Sequence, residues 1–290
     1  MQASNKDNLD ILFFGDIVGR PGRMAVNAYL RQLGELECPD VVIANVENAT
    51  HGFGLSRKHY DEFRAMGIDV LTSGNHIFDR KELYDDLEDM DRLLRPHNFP
   101  STVPGIGAKV FEVPGAKGAK IGVINLIGQV FMGNYNSPWE SIDAIVPEML
   151  HETPVIFVDL HAETTAEKNC MGFYAAGLGV SALVGTHTHV QTDDGRILKG
   201  RMGYLTDAGF NGAYDSIIGM SPEPSLLRLK YHQQARLEVP EEAAVYQVNA
   251  VRFTVSAKTG VCTRVERINR LIPEASILPM TLATPLSSSK

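Results

Sequence analysis

The sequence predicts an α/β fold in which two β-sheets are sandwiched by helices. Three observations carry that expectation. Short apolar runs alternate with helix-periodic segments through the first half of the chain, and the second half is richer in strands and closes on a hairpin. Five of the apolar runs also end on Asp, Glu, Asn or His, at the carboxyl edge where α/β sheets bind ligands.

The strand candidates are residues 9–14, 41–46, 70–72, 120–126, 155–160, 182–185 and 201–206. Residues 246–256 and 261–268 complete the set, with Lys258-Thr259-Gly260 between them as a hairpin turn. Residues 22–36 and 56–66 carry apolar side chains at helical spacing, the second segment with Ser56 as its N-cap. Asp79-Arg80-Lys81-Glu82 has the capping-box pattern and predicts a helix to about Met90. Residues 211–220 read as a long loop, suited to a lid or a subunit contact in a homo-oligomer. Residues 1–271 are expected to form one domain. Residues 272–290, with three prolines and a Ser-Ser-Ser-Lys end, read as a flexible extension outside the core.

A length of 290 residues permits one large α/β domain or two small ones. The net charge of -8 argues against a broad surface for long nucleic acid. It leaves room for a small anionic substrate, because bound cations dominate a local field. Cys38, Cys170 and Cys262 form no C-x-x-C pair, and an odd number suits a reducing compartment. No stretch approaches the ~20 apolar residues of a membrane helix, and the run at 11–14 is too short for a signal-peptide core. A cytoplasmic protein with no membrane partner is therefore expected.

The polar strand ends are Gly15-Asp16, Glu47-Asn48, Gly74-Asn75-His76, His161 and His187-Thr188-His189. Each has an ordinary reading when taken alone. Asp16 can cap the next helix, Glu47-Asn48 and Asn75 can serve turns, and His161 can be a satisfied buried histidine. Five such ends at one sheet edge point instead to a metal cage. Alternate residues of an extended segment face opposite ways, so if His187 and His189 both bind metal, either the chain turns there or two metals sit side by side. Carboxylate, amide oxygen and imidazole suit Mn, Fe, Zn or Co. Seven ligands suit two ions, and a carboxylate such as Glu47 can bridge them at about 3.5–4 Å. Among the remaining histidines, His51 and His97 can line the site but read first as loop residues, and His59, His151 and His232 read as surface residues. Phe131 and Met132 can stack on a base or serve packing.

The order of these motifs resembles the calcineurin-type metallophosphoesterase superfamily. Within it, Gly15-Asp16-Ile17-Val18-Gly19-Arg20-Pro21-Gly22, Glu47-Asn48-Ala49, Gly74-Asn75-His76, Arg95-Pro96-His97-Asn98-Phe99-Pro100, His161-Ala162-Glu163 and Gly185-Thr186-His187-Thr188-His189-Val190-Gln191-Thr192 resemble the YmdB-like branch over residues 9–270. The resemblance implies a four-layer α/β/β/α metallophosphoesterase sandwich and 2′,3′-cyclic-nucleotide phosphodiesterase activity. It implies two divalent or mixed-valence ions of Fe, Mn or Zn. One would be held by Asp16, Glu47, Asn48 and His189, the other by Glu47, Asn75, His161 and His187, with Glu47 bridging. His76 would stay off the metals and protonate the leaving oxygen as the catalytic acid. The wider superfamily has Asp-x-His at the first motif. Here it is Asp16-Ile17-Val18, and Asn48 is expected to compensate. Gln129 stands where close relatives would carry arginine. Two rivals share these residues: a phosphomonoesterase or protein phosphatase with the same cage, and a non-catalytic nucleotide-sensing regulator, whose mark would be a broken cage or a missing His76.

Overall fold

The computed structural model describes residues 7–34, 37–116 and 118–277. The first half contains β1 (Asn8–Phe14), β2 (Asp16–Ile17), α1 (Gly19–Gln32), β3 (Val41–Asn45), α2 (Arg57–Ala65), β4 (Val70–Thr72), α3 (Leu83–Asp86), β5 (Ala108–Glu112), β6 (Lys120–Ile127) and α4 (Pro138–Leu150). The second contains β7 (Ile156–His161), α5 (Thr165–Leu178), β8 (Ala182–Thr186), β9 (Arg196–Leu198), β10 (Met202–Leu205), β11 (Phe210–Ala213), α6 (Pro222–Tyr231), β12 (Val245–Ser256) and β13 (Cys262–Pro273).

A seven-stranded sheet runs β2-β11-β12-β1-β3-β4, with β13 on the other side of β12. A six-stranded sheet runs β5-β6-β7-β8-β10-β9. The period of two along each strand sorts side chains into layers. In β1, Leu9, Ile11 and Phe13 join Phe157, Val184 and Phe253 in the core between the sheets, while Leu12 and Phe14 pack outward with Ala25 and Val26 of α1. In β7, Val158 and Leu160 face outward onto Ile142 of α4 and Met171 of α5. The four-layer sandwich expected from the sequence is the fold observed. The parallel strands β1, β3 and β4 of one sheet and β6, β7 and β8 of the other bring their carboxyl ends to one region.

Three expectations are corrected. The helix predicted over 79–90 is broken into a 3-10 turn (Ile77–Asp79), the single turn of α3 and a second 3-10 turn (Leu87–Asp89), because the Asp79 carboxylate binds His76 and caps nothing. The second half is strand-rich as expected, and the helices α4 and α5 that flank β7 along the chain carry their own caps. Ser137 accepts from the Glu140 amide to start α4, and Thr164 accepts from the Glu167 amide to start α5. His59 is no surface residue: it is 7% exposed, and its Nδ1 lies 2.7 Å from Thr50 Oγ1. Finally, β13 runs to Pro273 and buries Ile272, so the start of the assigned extension belongs to the sheet. Residues 278–290 of that extension lie outside the described residues. No helix among the described residues is long and apolar enough to cross a membrane.

Candidate metal centre

Every residue expected in the cage stands at or just beyond a strand end. Asp16 follows β1, and its amide donates to the Gly209 carbonyl. It does not cap α1, whose N-cap is Val18. Glu47-Asn48 follow β3, Asn75 follows β4, His161 closes β7, and His187-Thr188-His189 follow β8. The chain does turn at the last motif: His187 has φ 100° and His189 φ 64°, both in the left-handed region that non-glycine residues rarely occupy. Two alternate histidines are thereby turned toward one centre.

Each ring has one nitrogen tied to protein and the other directed inward. His161 Nδ1 lies 2.9 Å from Thr186 Oγ1, leaving Nε2 within 3.2 Å of Glu47 Oε1, 3.0 Å of Asn75 Oδ1 and 3.0 Å of His187 Nδ1. His187 Nε2 lies 3.2 Å from Glu163 Oε2, so Nδ1 is its inward atom. His189 Nδ1 donates to the Ile218 carbonyl at 2.8 Å, and its Nε2 lies 3.2 Å from Asn48 Nδ2 and 3.8 Å from Asp16 Oδ1. This is how metal-bound histidines are oriented: an outer partner fixes the tautomer and frees one lone pair. Glu47, His161 and His187 offer ligand atoms all within 4.8 Å of one another. Glu47 also accepts from Asn48 Nδ2 at 3.2 Å, so it touches both groups of candidate ligands.

The donor set fits cations by a second observation. Asp16 is fully buried, and its Oδ1 has no hydrogen-bond partner among the described residues although His161 Nδ1 and His189 Nε2 stand 3.9 and 3.8 Å away. An orphaned buried carboxylate oxygen is costly, and a cation is the partner that would satisfy it. Burial accordingly raises the Asp16 carboxyl above its ordinary range. Burial works the same way on Glu47, but the His161 imidazole outweighs it and holds that carboxyl at about 2. His161, opposed by burial, is lifted to about 9 by Glu47 and Asp16, and burial beside that cation drops His187 to about 3. Gly74 keeps the space clear, since a Cβ there would fall 2.3 Å from His161 Nε2 and 2.4 Å from Glu47 Oε2.

His76 stands beside the cage. Its amide donates to Glu47 Oε2 at 2.8 Å, while its ring Nδ1 lies 2.8 Å from Asp79 Oδ2 and the ring packs edge-on against Phe53. Its Nε2 has no protein partner among the described residues. Behind His161, the Thr186 hydroxyl donates to the buried carboxylate of Asp159, which also accepts from Asn45 and Thr72. Asp159, Thr186, Glu163 and Asp79 were not singled out as site residues by the sequence, because each has an ordinary strand, loop or cap reading. The Gln129 side chain donates to the Tyr135 carbonyl, and Phe131 is 89% exposed. A cavity of about 860 Å³ lies behind the Thr50-His51 loop and takes in none of the cage residues; Arg20, Arg80 and Arg236 line it together with Glu82, Glu238 and Glu241.

The family model for YmdB-like proteins matches residues 12–268. The chain belongs to the YmdB-like family. A Bacillus subtilis relative named 2′,3′-cyclic-nucleotide 2′-phosphodiesterase is 41% identical over 258 residues, 89% of this chain and 96% of that protein. A crystal structure of a Mycoplasma pneumoniae protein described as a novel phosphatase superposes with a TM-score of 0.83 at 32% identity, covering 92% of this chain and 94% of that one. A hypothetical protein from Thermus thermophilus also gives a TM-score of 0.83 at 32% identity, over 91% of this chain and all of that one. The cage residues all fall inside the span that matches the family.

Proposed function

We propose that the protein is a phosphodiesterase that opens 2′,3′-cyclic nucleotides to 3′-nucleotides at a two-cation centre. Asp16, Asn48 and His189 would hold one ion, Asn75, His161 and His187 the other, and Glu47 both. The observation that carries this reading is that each of three histidines has one nitrogen tied to protein and the other turned toward Glu47, Asn48 or Asn75, beside a buried Asp16 oxygen with no hydrogen-bond partner among the described residues. Cations held there would supply Lewis-acid neutralisation of the phosphoryl oxygens and a water acidic enough to attack near neutral pH.

The chain's own residues supply the remainder. Asp79 fixes the His76 ring through Nδ1, so Nε2 is the atom free to give a proton to the departing 2′ oxygen. An alkoxide needs that proton because its conjugate acid is very weak. The Asn48 side chain presents its amide to His189 and Glu47, and a half-turn of that amide presents the oxygen, the end that ligates metal. The direction of ring opening follows the activity named for the B. subtilis relative. Cys38, Cys170 and Cys262 are free thiols, which suits a cytoplasmic location.

The test is to incubate manganese-loaded protein with 2′,3′-cyclic AMP, 3′,5′-cyclic AMP and simple phosphomonoesters, and to separate the products. Accumulation of 3′-AMP from the 2′,3′ ring is expected. Release of 2′-AMP would reverse the orientation, and cleavage of monoesters alone would make the protein a phosphatase.

A further inference from the structure

We infer that Asp207, neutralised by the buried Lys168, is a positioning residue that holds the His187-Thr188-His189 turn in its metal-binding shape by gripping Thr188. The inference rests on the proposed metal reading of His187 and His189.

The turn needs a restraint. Two successive histidine positions sit at positive φ, with only Thr188 between them. Such backbone costs free energy at non-glycine residues and persists only where its surroundings over-determine it. Thr188 supplies the handle. Its amide and its hydroxyl both donate to Asp207 Oδ2, at 3.2 and 2.7 Å, and the Val190 amide donates back to the same hydroxyl. The residue between the two candidate ligands is therefore bound through its backbone and its side chain to one carboxylate oxygen.

Asp207 is fixed in turn. Its Oδ1 accepts from the Gly209 amide at 2.8 Å, its own amide donates to Thr192 Oγ1, and its carbonyl accepts from the Thr192 amide. Lys168 of α5 places Nζ 2.6 Å from Oδ2, with both side chains only 1% exposed. A buried carboxylate without such a partner is strongly unfavourable. The lysine stem reaches Asp207 across Gly185, where a Cβ would fall 2.8 Å from Lys168 Cδ.

Residues 206–209, leading into Phe210, also form the crossing from β10 in one sheet to β11 in the other. Along that crossing the Gly209 carbonyl accepts from the Asp16 amide, and the Phe210 ring stacks on His189 at 5.6 Å. One short segment thus sets Asp16 from the first sheet against His187 and His189 from the second. The carboxylate at its head controls the part of the cage that is under backbone strain.

The test compares Thr188→Val, Thr188→Ser and Asp207→Asn with wild type, by titrating metal-free protein with Mn²⁺ alone and by measuring its thermal midpoint. Thr188→Val removes one hydroxyl and leaves the Lys168–Asp207 pair intact, so it serves if Asp207→Asn fails to fold. Loss of an outer partner typically weakens metal binding about 10–100-fold. That loss is expected for Thr188→Val with the metal-free thermal midpoint unchanged, and Thr188→Ser should restore binding. Wild-type Mn²⁺ affinity in Thr188→Val, or a lowered midpoint with affinity intact, would overturn the inference and leave the cage standing. Should His187→Ala and His189→Ala also bind Mn²⁺ as wild type does, the cage reading fails and this inference with it.

Discussion

Replacing His76 by alanine should separate proton donation from metal binding. The structure predicts that the cage survives, because His76 touches Glu47 through its backbone amide at 2.8 Å and alanine keeps that donor. The lost group is the ring, whose removal as a general acid should lower the rate on a 2′,3′-cyclic nucleotide by about 10²–10⁴-fold. The loss should shrink on a p-nitrophenyl phosphodiester, whose leaving anion is stable without a proton. Asp79→Asn probes the same proton from one step further back. The 2.8 Å contact between His76 and Asp79 joins two partly exposed side chains, at 35% and 45%. Solvent screening limits such a pair to about 1 kcal/mol, or roughly fivefold in kcat. The assay is steady-state kinetics on both substrates alongside elemental analysis of each purified variant. Loss of metal from His76→Ala would refute the reasoning, as would equal losses on the two substrates.

Two further perturbations follow from the geometry. Gly74→Ala places a methyl group within 2.4 Å of both His161 and Glu47, so elemental analysis should show metal content falling while circular dichroism reports an unchanged fold. His59 bears on acid stability: burial, reinforced by Arg23, lowers its pKa from 6.5 to about 3. The unfolded chain then binds the extra proton below pH 6.5, so stability is full above that pH and falls as pH drops toward 3, by about 1.4 kcal/mol per pH unit from this group alone. Urea denaturation of wild type and His59→Gln at pH 7 and pH 5 checks it, the variant being expected to lose less stability on acidification.

The gathering of these residues at one sheet edge was legible because β-sheet physics separates its signals cleanly. A strand such as 11–14 must be apolar to enter the core, so an acidic, amide or imidazole group immediately after it stands out. His187 and His189 illustrate the power and the limit of that logic. Their spacing told that a turn is needed if both bind metal, and the φ values of 100° and 64° provide it, but nothing local identified Asp207 as the anchor of the intervening Thr188. Asp207 and Lys168 are 39 residues apart, and their pairing exists only once α5 packs over β8 and β10. Asp79 failed for the opposite reason: its capping-box pattern was real, but a histidine three residues earlier captured the carboxylate. The starts of α4 and α5 are marked in the sequence by Ser137…Glu140 and Thr164…Glu167, although neither helix was among those expected. Their apolar faces are diluted by residues such as Lys168, whose stem is buried only because Asp207 waits at its end.

The absent histidine of the first motif has a structural counterpart. Where Asp-x-His would place an imidazole, this chain has Val18, fully buried against Phe210 and Met220. The fit is tight: a Cβ on Gly219 would lie 2.7 Å from Val18 Cγ1. Val18 is therefore the apolar seat for residues 217–220, and that seat places the Ile218 carbonyl, with Ile218 itself at φ 48°, where it accepts from His189 Nδ1. The packing at position 18 thus helps to orient His189, a candidate ligand from the second sheet. His189 presents its free nitrogen 3.2 Å from Asn48, the residue expected to replace the missing imidazole. Val18, the loop of residues 217–220 and the amide of Asn48 are thus linked through His189. A histidine at position 18 would have to displace Gly219 and, with it, the carbonyl that fixes His189.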